Sequence, residues 1–301
     1  MTSPTTSDRD IATERLVQDV NQRTGSDLRY VKTADLGETG GAAFVMWPDG
    51  RQSVVTVATA PLAAMCQAAE ILGMARARGL AVPCQELVVA LEGEVVAVVQ
   101  ERLPGVHATI VDAVLIDTLV DSNDRFADLL ADREDVAVPP LYLASGGAAL
   151  PWHETLEHYS DRSRRVLRRI EAVGSSSPNE MSGNDLVHPD FTVPNVLFDG
   201  GGQITGIVDW NNGVFRGDRT FALVKLLFDL TWDGSAAGGG RHHIQPSALA
   251  RLETVLHEST DADALRRYWA HWTLTMLHWT IRSGDTDVID LHLRLGERGL
   301  E

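Results

Sequence analysis

The segment Leu186–Trp210, LVHPDFTVPNVLFDGGGQITGIVDW, puts His188, Asp190 and Asn195 into one short polar loop and returns to an acid at Asp209. Val196–Asp199 and Ile204–Trp210 read as two strands around Gly200-Gly201-Gly202, a hairpin pattern. Folding about those glycines brings Asn195 and Asp209 to the open end, about two residues out of register and roughly a few Å apart. Pro189 and Pro194 stiffen the loop that enters the same end by fixing φ. An amide oxygen beside a carboxylate is a hard-cation site, suited to Mg2+ bridging phosphates. A further carboxylate kept off the metal, Asp190, can accept a proton from an attacking hydroxyl. An ordinary polar turn with a charge at each strand end uses the same residues, but leaves the coincidence of all four positions with a hairpin unexplained.

The elements that must carry this segment differ on its two sides. From Arg29 to Val57 the pattern is strand-like: RYVKTADL, the turn GETGG, AAFVMW, the turn PDG, then RQSVVTVAT. A helix is expected from about Pro61 to Arg78, with proline near its start and Gly79 just past its end. QELVVAL and EVVAVVQE are two more strands joined by the tight turn EG, and residues 9–23 form a short amphipathic helix. After LPG at 103–105 the periodicity turns helical, through 110–130 and 152–173 and again beyond Arg219, where DGSAAGGGR interrupts it. The expected class is α+β: a β-rich lobe over 1–103, then a mainly helical lobe over 104–301 with one hairpin embedded in it.

The 301 residues carry a formal net charge of −16, with no basic stripe, which argues against nucleic acid as a partner. The acidity would suit a cationic small substrate, but a solvated acidic surface is the simpler reading. No run of eighteen apolar residues and no apolar leader occurs, so a cytoplasmic protein with no membrane partner is expected. Cys66 and Cys84 have no ligand spacing and sit among apolar neighbours, which implies buried free thiols. Lys32 and Lys225 are the only lysines.

HPDFTVPN at 188–195 resembles the H-G-D-x-x-x-x-N loop of the aminoglycoside phosphotransferase family, relatives of protein kinases, and IVDW at 207–210 resembles that family's metal-binding motif. GDRTFALV at 217–224 is similar to its G-D-P-x-x-D-L-A, AEILGMARARGLAVP at 69–83 to its helix and following turn, and QERLPG at 100–105 to its hinge. The resemblance implies a bilobal protein-kinase-like fold and transfer of the γ-phosphate of ATP or GTP. It makes Asp190 the base and His188 the brace of its loop, with Asn195 and Asp209 holding Mg2+. Nucleotide contacts would come from Gly37, Gly40 and Gly41 through backbone N–H groups, with Thr56, Glu70, Gln100 and Arg102. Three positions depart from the family: Thr56 stands where it has a strand lysine paired to the Glu70 position, Ala222 replaces an acid, and Thr192 replaces a histidine. Lys32, Arg51 or nothing would supply the missing positive charge.

For the acceptor site, FDLTWDG at 228–234 offers Asp229, Trp232 and Asp233, and the stretch 268–279 offers Trp272. There Trp272 and Trp279, like His271 and His278, lie seven apart and share a helix face, which fits either core packing or a ring-stacking surface. His242-His243 is a faint metal signal without a third ligand nearby. The expected activity is phosphorylation of an antibiotic hydroxyl, in resistance or self-protection. A metabolic kinase acting on an amino alcohol or sugar shares every motif, and the absent lysine motivates a third reading, a non-catalytic binding module, although the base and metal ligands are intact.

Overall fold

The β-branched runs of the N-terminal third can bury one face only by pairing into a sheet, and they do. The computed structural model describes residues 6–34, 42–146, 152–236, 238 and 240–300, with residues 6–9 described by backbone alone. Helix α1 (Thr6–Thr24) is followed by β1 (Arg29–Thr33), β2 (Ala43–Met46) and β3 (Gln52–Ala58). Helix α2 (Leu62–Ala77), β4 (Gln85–Ala90) and β5 (Val96–Glu101) follow, and the sheet order is β1-β2-β3-β5-β4 with every neighbouring pair antiparallel. Leu16, Val17 and Val20 of α1 close one face of the sheet over Val45, Val55, Val89 and Val99.

Helix α2 starts after Pro61 and ends before Gly79, whose φ of 80° suits glycine. It buries Met65, Ala68, Ile71, Leu72 and Ala75. Cys66 therefore lies off that face, and both Cys66 and Cys84 are exposed free thiols rather than the buried ones their neighbours suggest. The turn between β4 and β5 is a helical turn at Glu92–Glu94, longer than the two-residue turn expected.

The glycine hairpin, strands Val196–Phe198 and Ile204–Ile207, groups with these elements: residues up to His107 and Pro194–Val214 form one compact unit. It is stitched to the segments that precede β4 and follow β5. Val106 and Phe198 exchange backbone bonds of 2.9 and 2.8 Å, Ile207 N donates to Ala81 O at 2.7 Å, and Thr205 Oγ1 to Pro104 O at 2.6 Å. Gly105 makes this approach possible: its φ is 122°, and a Cβ there would run into Thr205 Oγ1.

The second unit, residues 108–193 and 215–301, is mainly helical. Its helices are α3 (Ala113–Asp124), α4 (Trp152–Tyr159), α5 (Asp161–Ser176), α6 (Thr220–Asp233), α7 (Pro246–Ser259), α8 (Ala262–Ser283) and α9 (Thr286–Gly299). The helix expected over 110–130 begins only at Ala113, because Asp112 caps it by accepting the Leu115 N–H at 2.9 Å. Residues 110–111 instead pair with His243–Ile244. The helix expected over 152–173 is two, broken where Ser160 and Ser163 form a reciprocal capping box. Helix α6 buries ten of its residues, Phe221, Val224, Leu226, Phe228 and Leu230 among them, and packs against α7 and α8. No helix among the described residues is long and apolar enough to cross a membrane.

Two histidines are sealed into this helical core. Burial lowers both His271 and His292 to about 4; the Leu141 carbonyl partly opposes this at His271, and Lys225 adds to it at His292. His292 is fully buried, stacked at 6.2 Å on Phe228, and neither ring nitrogen finds a partner among the described residues. Because both folded pKa values lie below the usual 6.5, the unfolded chain takes up protons first as the pH falls. The stability they contribute above pH 6.5, up to roughly 3 kcal/mol each, is lost as pH falls through about 4. Urea midpoints measured across that window should decline. His292→Leu should flatten part of the decline and, at neutral pH, stabilise the protein by about 1 kcal/mol or more by removing unmatched polar atoms. A destabilised His292→Leu would contradict this account.

Candidate active site

The candidate residues fall in two sets, one in each unit. In the helical unit, Asp185–Val187 pairs antiparallel with Phe215–Gly217, so the Gly-Asp-Arg-Thr turn lies beside the start of the polar loop. Asp185 pins the junction by accepting from Asp128 N at 2.9 Å, Arg219 N at 3.1 Å and Arg219 Nη1 at 3.0 Å. Asp218 accepts the Tyr268 hydroxyl at 2.9 Å; burial first, then Asp218, raises that phenol above its ordinary range.

Beyond this strand His188 is fully buried, and its Nδ1 accepts the backbone N–H of Asp190 at 3.0 Å. That bond places the ring proton on Nε2 and fixes the turn that presents Asp190. The Asp190 carboxylate is 36% exposed and pairs with Lys225: Nζ lies 3.1 Å from Oδ1. The Lys225 side chain is only 12% exposed, and its Nζ sits 5.6 Å from the centroid of the Trp272 ring. Sequence reasoning missed this pair. The available signal was a lysine inside the apolar run FALVKLLF, where a cation is tenable only with a partner.

Of the expected acceptor residues, Asp229 and Trp272 lie in the neighbourhood of Lys225, and Trp232 and Asp233 engage Arg241 and His242. Asp229 lies one helical turn further on and is 7% exposed. Burial pushes its carboxyl above the usual range, Lys225 and Arg241 oppose that shift, and Asp190 and Asp233 add to it. Asp233, 3% exposed, is occupied by the following loop, accepting from Arg241 N at 2.8 Å, His242 N at 3.0 Å and His242 Nδ1 at 2.6 Å. His242 is thus the carboxylate's partner, and among the described residues no three His, Cys, Asp or Glu gather as metal ligands. Trp232 lies beneath the Arg241 guanidinium at 5.1 Å, and its buried indole N–H has no partner among the described residues. Trp272 is packed: its N–H donates to Phe221 O at 3.1 Å and its ring lies 4.9 Å from Phe221. Trp272 is 6% exposed but Trp279 60%, so the two tryptophans do not share one surface.

In the sheet unit, Val208 N donates to Asn195 O at 2.8 Å. Asp209 is therefore one residue beyond the position opposite Asn195, rather than two. Asn195 is 9% exposed, and Asp209 takes a left-handed backbone with φ of 65°. Asn211 Nδ2 donates to Asp209 Oδ1 at 2.7 Å, and Thr56 Oγ1 donates to Asn211 Oδ1 at 2.8 Å. The Asn211 carbonyl also accepts from Thr59 N at 3.0 Å and Ala60 N at 3.2 Å. Thr56, on β3, is thus linked to Asp209 through an asparagine whose role the sequence did not reveal.

The other expected nucleotide residues that are described lie on α2, on β5 and just beyond β5. Gln100 is buried on β5 opposite Val54 and Gln85, Glu70 is exposed on α2, and Arg102 lies 4.6 Å over Phe44 with a bond to Gln52 Oε1. Gly37, Gly40 and Gly41 lie outside the described residues. Of the candidate replacement cations, Arg51 binds Asp49 at 2.7 Å and Glu86 at 2.6 Å, and Lys32 lies 5.6 Å over Phe44.

Residues 37–254 match the model of the phosphotransferase enzyme family. The chain belongs to that family. Among solved structures it is similar to a thermostable mutant of aminoglycoside phosphotransferase APH(4)-Ia in ternary complex with ADP and hygromycin B. The two share 18% identity over 96% of this chain and 98% of that one, at a TM-score of 0.68. Amicoumacin kinase hAmiN, in complex with AMP-PNP, Ca2+ and Ami, is 13% identical over 95% and 93% of the two chains at a TM-score of 0.61. Macrolide 2'-phosphotransferase MphH from Brachybacterium faecium is 16% identical over 93% and 97%, at 0.53. No curated protein matches the sequence. The fold of this phosphotransferase is the α+β, kinase-like one of those enzymes.

The bonds at Asn211 tie the loop after the hairpin to the end of β3. Asn211→Ala should lower stability by about 1–3 kcal/mol, and Thr56→Val by roughly 1 kcal/mol, in urea unfolding. Wild-type stability in both variants would mean that these bonds do not hold the loop.

Proposed function

We propose that this chain moves the γ-phosphate of ATP or GTP onto a hydroxyl of a small-molecule antibiotic. The observation that carries the reading is Asp190: a part-exposed carboxylate whose loop is braced by the buried His188, within a chain of the phosphotransferase family. Asp190 orients the acceptor hydroxyl and takes its proton; His188 holds the turn. The dissociative transition state asks more of positioning than of base strength.

Asn195 and Asp209 are the residues that would hold Mg2+. An amide oxygen and a carboxylate are hard donors, and a two-residue set leaves room for the waters and phosphate oxygens this ion keeps. When bound, the ion neutralises phosphate charge. Asn211 would orient the Asp209 carboxylate through the bond to Oδ1. Thr56, Gln100, Arg102, Glu70 and the glycines Gly37, Gly40 and Gly41 are assigned to the nucleotide, in the unit formed by the N-terminal sheet and the hairpin.

The acceptor falls to the helical unit. Trp232, with its unmatched indole N–H, and Asp229 are the groups assigned to the antibiotic. Asp233 and Trp272 support them, the first by holding the Arg241–His242 loop and the second by carrying Lys225. Antibiotic acceptors are named for three structural neighbours, as hygromycin B, Ami and the macrolide class. The enzyme is assigned to the cytoplasm, where nucleoside triphosphate is available, and the net charge of −16 suits a cationic acceptor.

Incubation with Mg2+, ATP or GTP and a panel of hygromycin B, amicoumacin and macrolides, read by mass spectrometry, should reveal an added phosphoryl group. Asp190→Ala should lower turnover by about a thousandfold while the chain still folds, with a lower unfolding midpoint because the Lys225 ammonium loses its partner. Near wild-type turnover in that variant would end the proposal.

A further inference from the structure

We infer that Lys225 is a positioning residue for phosphoryl transfer, its ammonium holding the Asp190 carboxylate aimed at the acceptor hydroxyl. The inference rests on the reading of Asp190 as the group that meets the hydroxyl. Lys32, the other lysine, lies on an exposed stretch of β1, whereas Lys225 rises from the buried face of α6. A buried ammonium costs several kcal/mol unless paired, so a lysine there needs a structural reason. Its Nζ lies 3.1 Å from Asp190 Oδ1.

Its surroundings direct it to that carboxylate. Trp272, itself anchored by the bond to Phe221 O, sets an aromatic plate 5.6 Å from Nζ. Asp229 follows on the same face of α6, but burial favours its protonated form and weakens it as a counter-ion. On the preceding turn stands Ala222, where the resembled motif has an acid; a carboxylate at i−3 would compete for the ammonium. Asp190 remains as the partner with access to solvent.

A carboxylate held by a cation is a weaker base. The trade is acceptable here because little charge develops on the nucleophile, so orientation outweighs basicity. In the step itself the acceptor oxygen forms a bond to the γ-phosphorus and the bond from that phosphorus to the β–γ bridging oxygen breaks. The bonding pair leaves with the nucleoside diphosphate, and the acceptor proton passes to Asp190. Lys225 gives up no proton; it limits the rotamers of the carboxylate that receives one.

The test is steady-state ADP release from MgATP by the full chain, with water as acceptor and again with each antibiotic of the panel above. Lys225→Met should lower kcat by about 10–100-fold with the KM for ATP unchanged within threefold and the melting temperature within a few degrees. Lys225→Arg should recover most of the loss. The double variant Asp190→Ala/Lys225→Met should be no slower than Asp190→Ala alone, because the lysine acts through the aspartate. If Lys225→Met does not fold, Lys225→Arg and Lys225→Gln carry the comparison: arginine active and glutamine slow supports the role, and equal rates overturn it. A wild-type kcat in Lys225→Met, or losses that add in the double variant, also overturns it. Should Asp190→Ala keep the wild-type rate, the reading of Asp190 falls first; a dead Asp190→Ala beside a normal Lys225→Met removes the role of Lys225 alone.

Discussion

A charged ammonium within the apolar face of α6 is the costly element of the helical unit, and much of the local design makes it tenable. The Asp190 carboxylate at 3.1 Å and the Trp272 ring at 5.6 Å replace part of the hydration that burial removes. Trp272 can serve only because Phe221, on the same helix as the lysine, accepts its N–H. Helices α6 and α8 and the polar loop thus hold one another in register around a single charge. The same field reaches Asp229 and His292, where it works against the carboxyl shift and with the imidazole shift.

The sheet unit solves a different problem: the polar residues after the hairpin must be fixed without a helix to carry them. Backbone pairing does the coarse work, through Phe198 with Val106 and Ile207 with Ala81. Side chains finish it, because Asn211 offers its amide to Asp209, its amide oxygen to Thr56 and its carbonyl to Thr59 and Ala60. Thr56 therefore has a structural use, as a short neutral donor linked to Asp209 through Asn211.

Much of this was legible in the residues. Alternating apolar strands, the proline and glycine that bracket α2, and the glycine hairpin are local signals, and local hydrogen bonding and sterics decide such elements. The polar loop was legible too, since His188 and Asp190 interact across two residues of chain. What the sequence hid were contacts of long separation. Nothing near Asp190 announces Lys225, and nothing near Thr56 announces Asn211. The caps at Asp112 and Ser160 are local, yet continuous helical periodicity masked them. Cys66 shows the limit of counting apolar neighbours: a helix has an outer side as well.

The left-handed backbone at Asp209 bears on how that residue can be interrogated. Most side chains pay about 1–2 kcal/mol to occupy such a conformation, while asparagine and aspartate enter it readily. Replacing this carboxylate with a methyl would therefore merge two losses, of charge and of backbone fit, into one reading. Asparagine changes the ionic character and leaves the main chain content, which makes it the chemically clean comparison at this position.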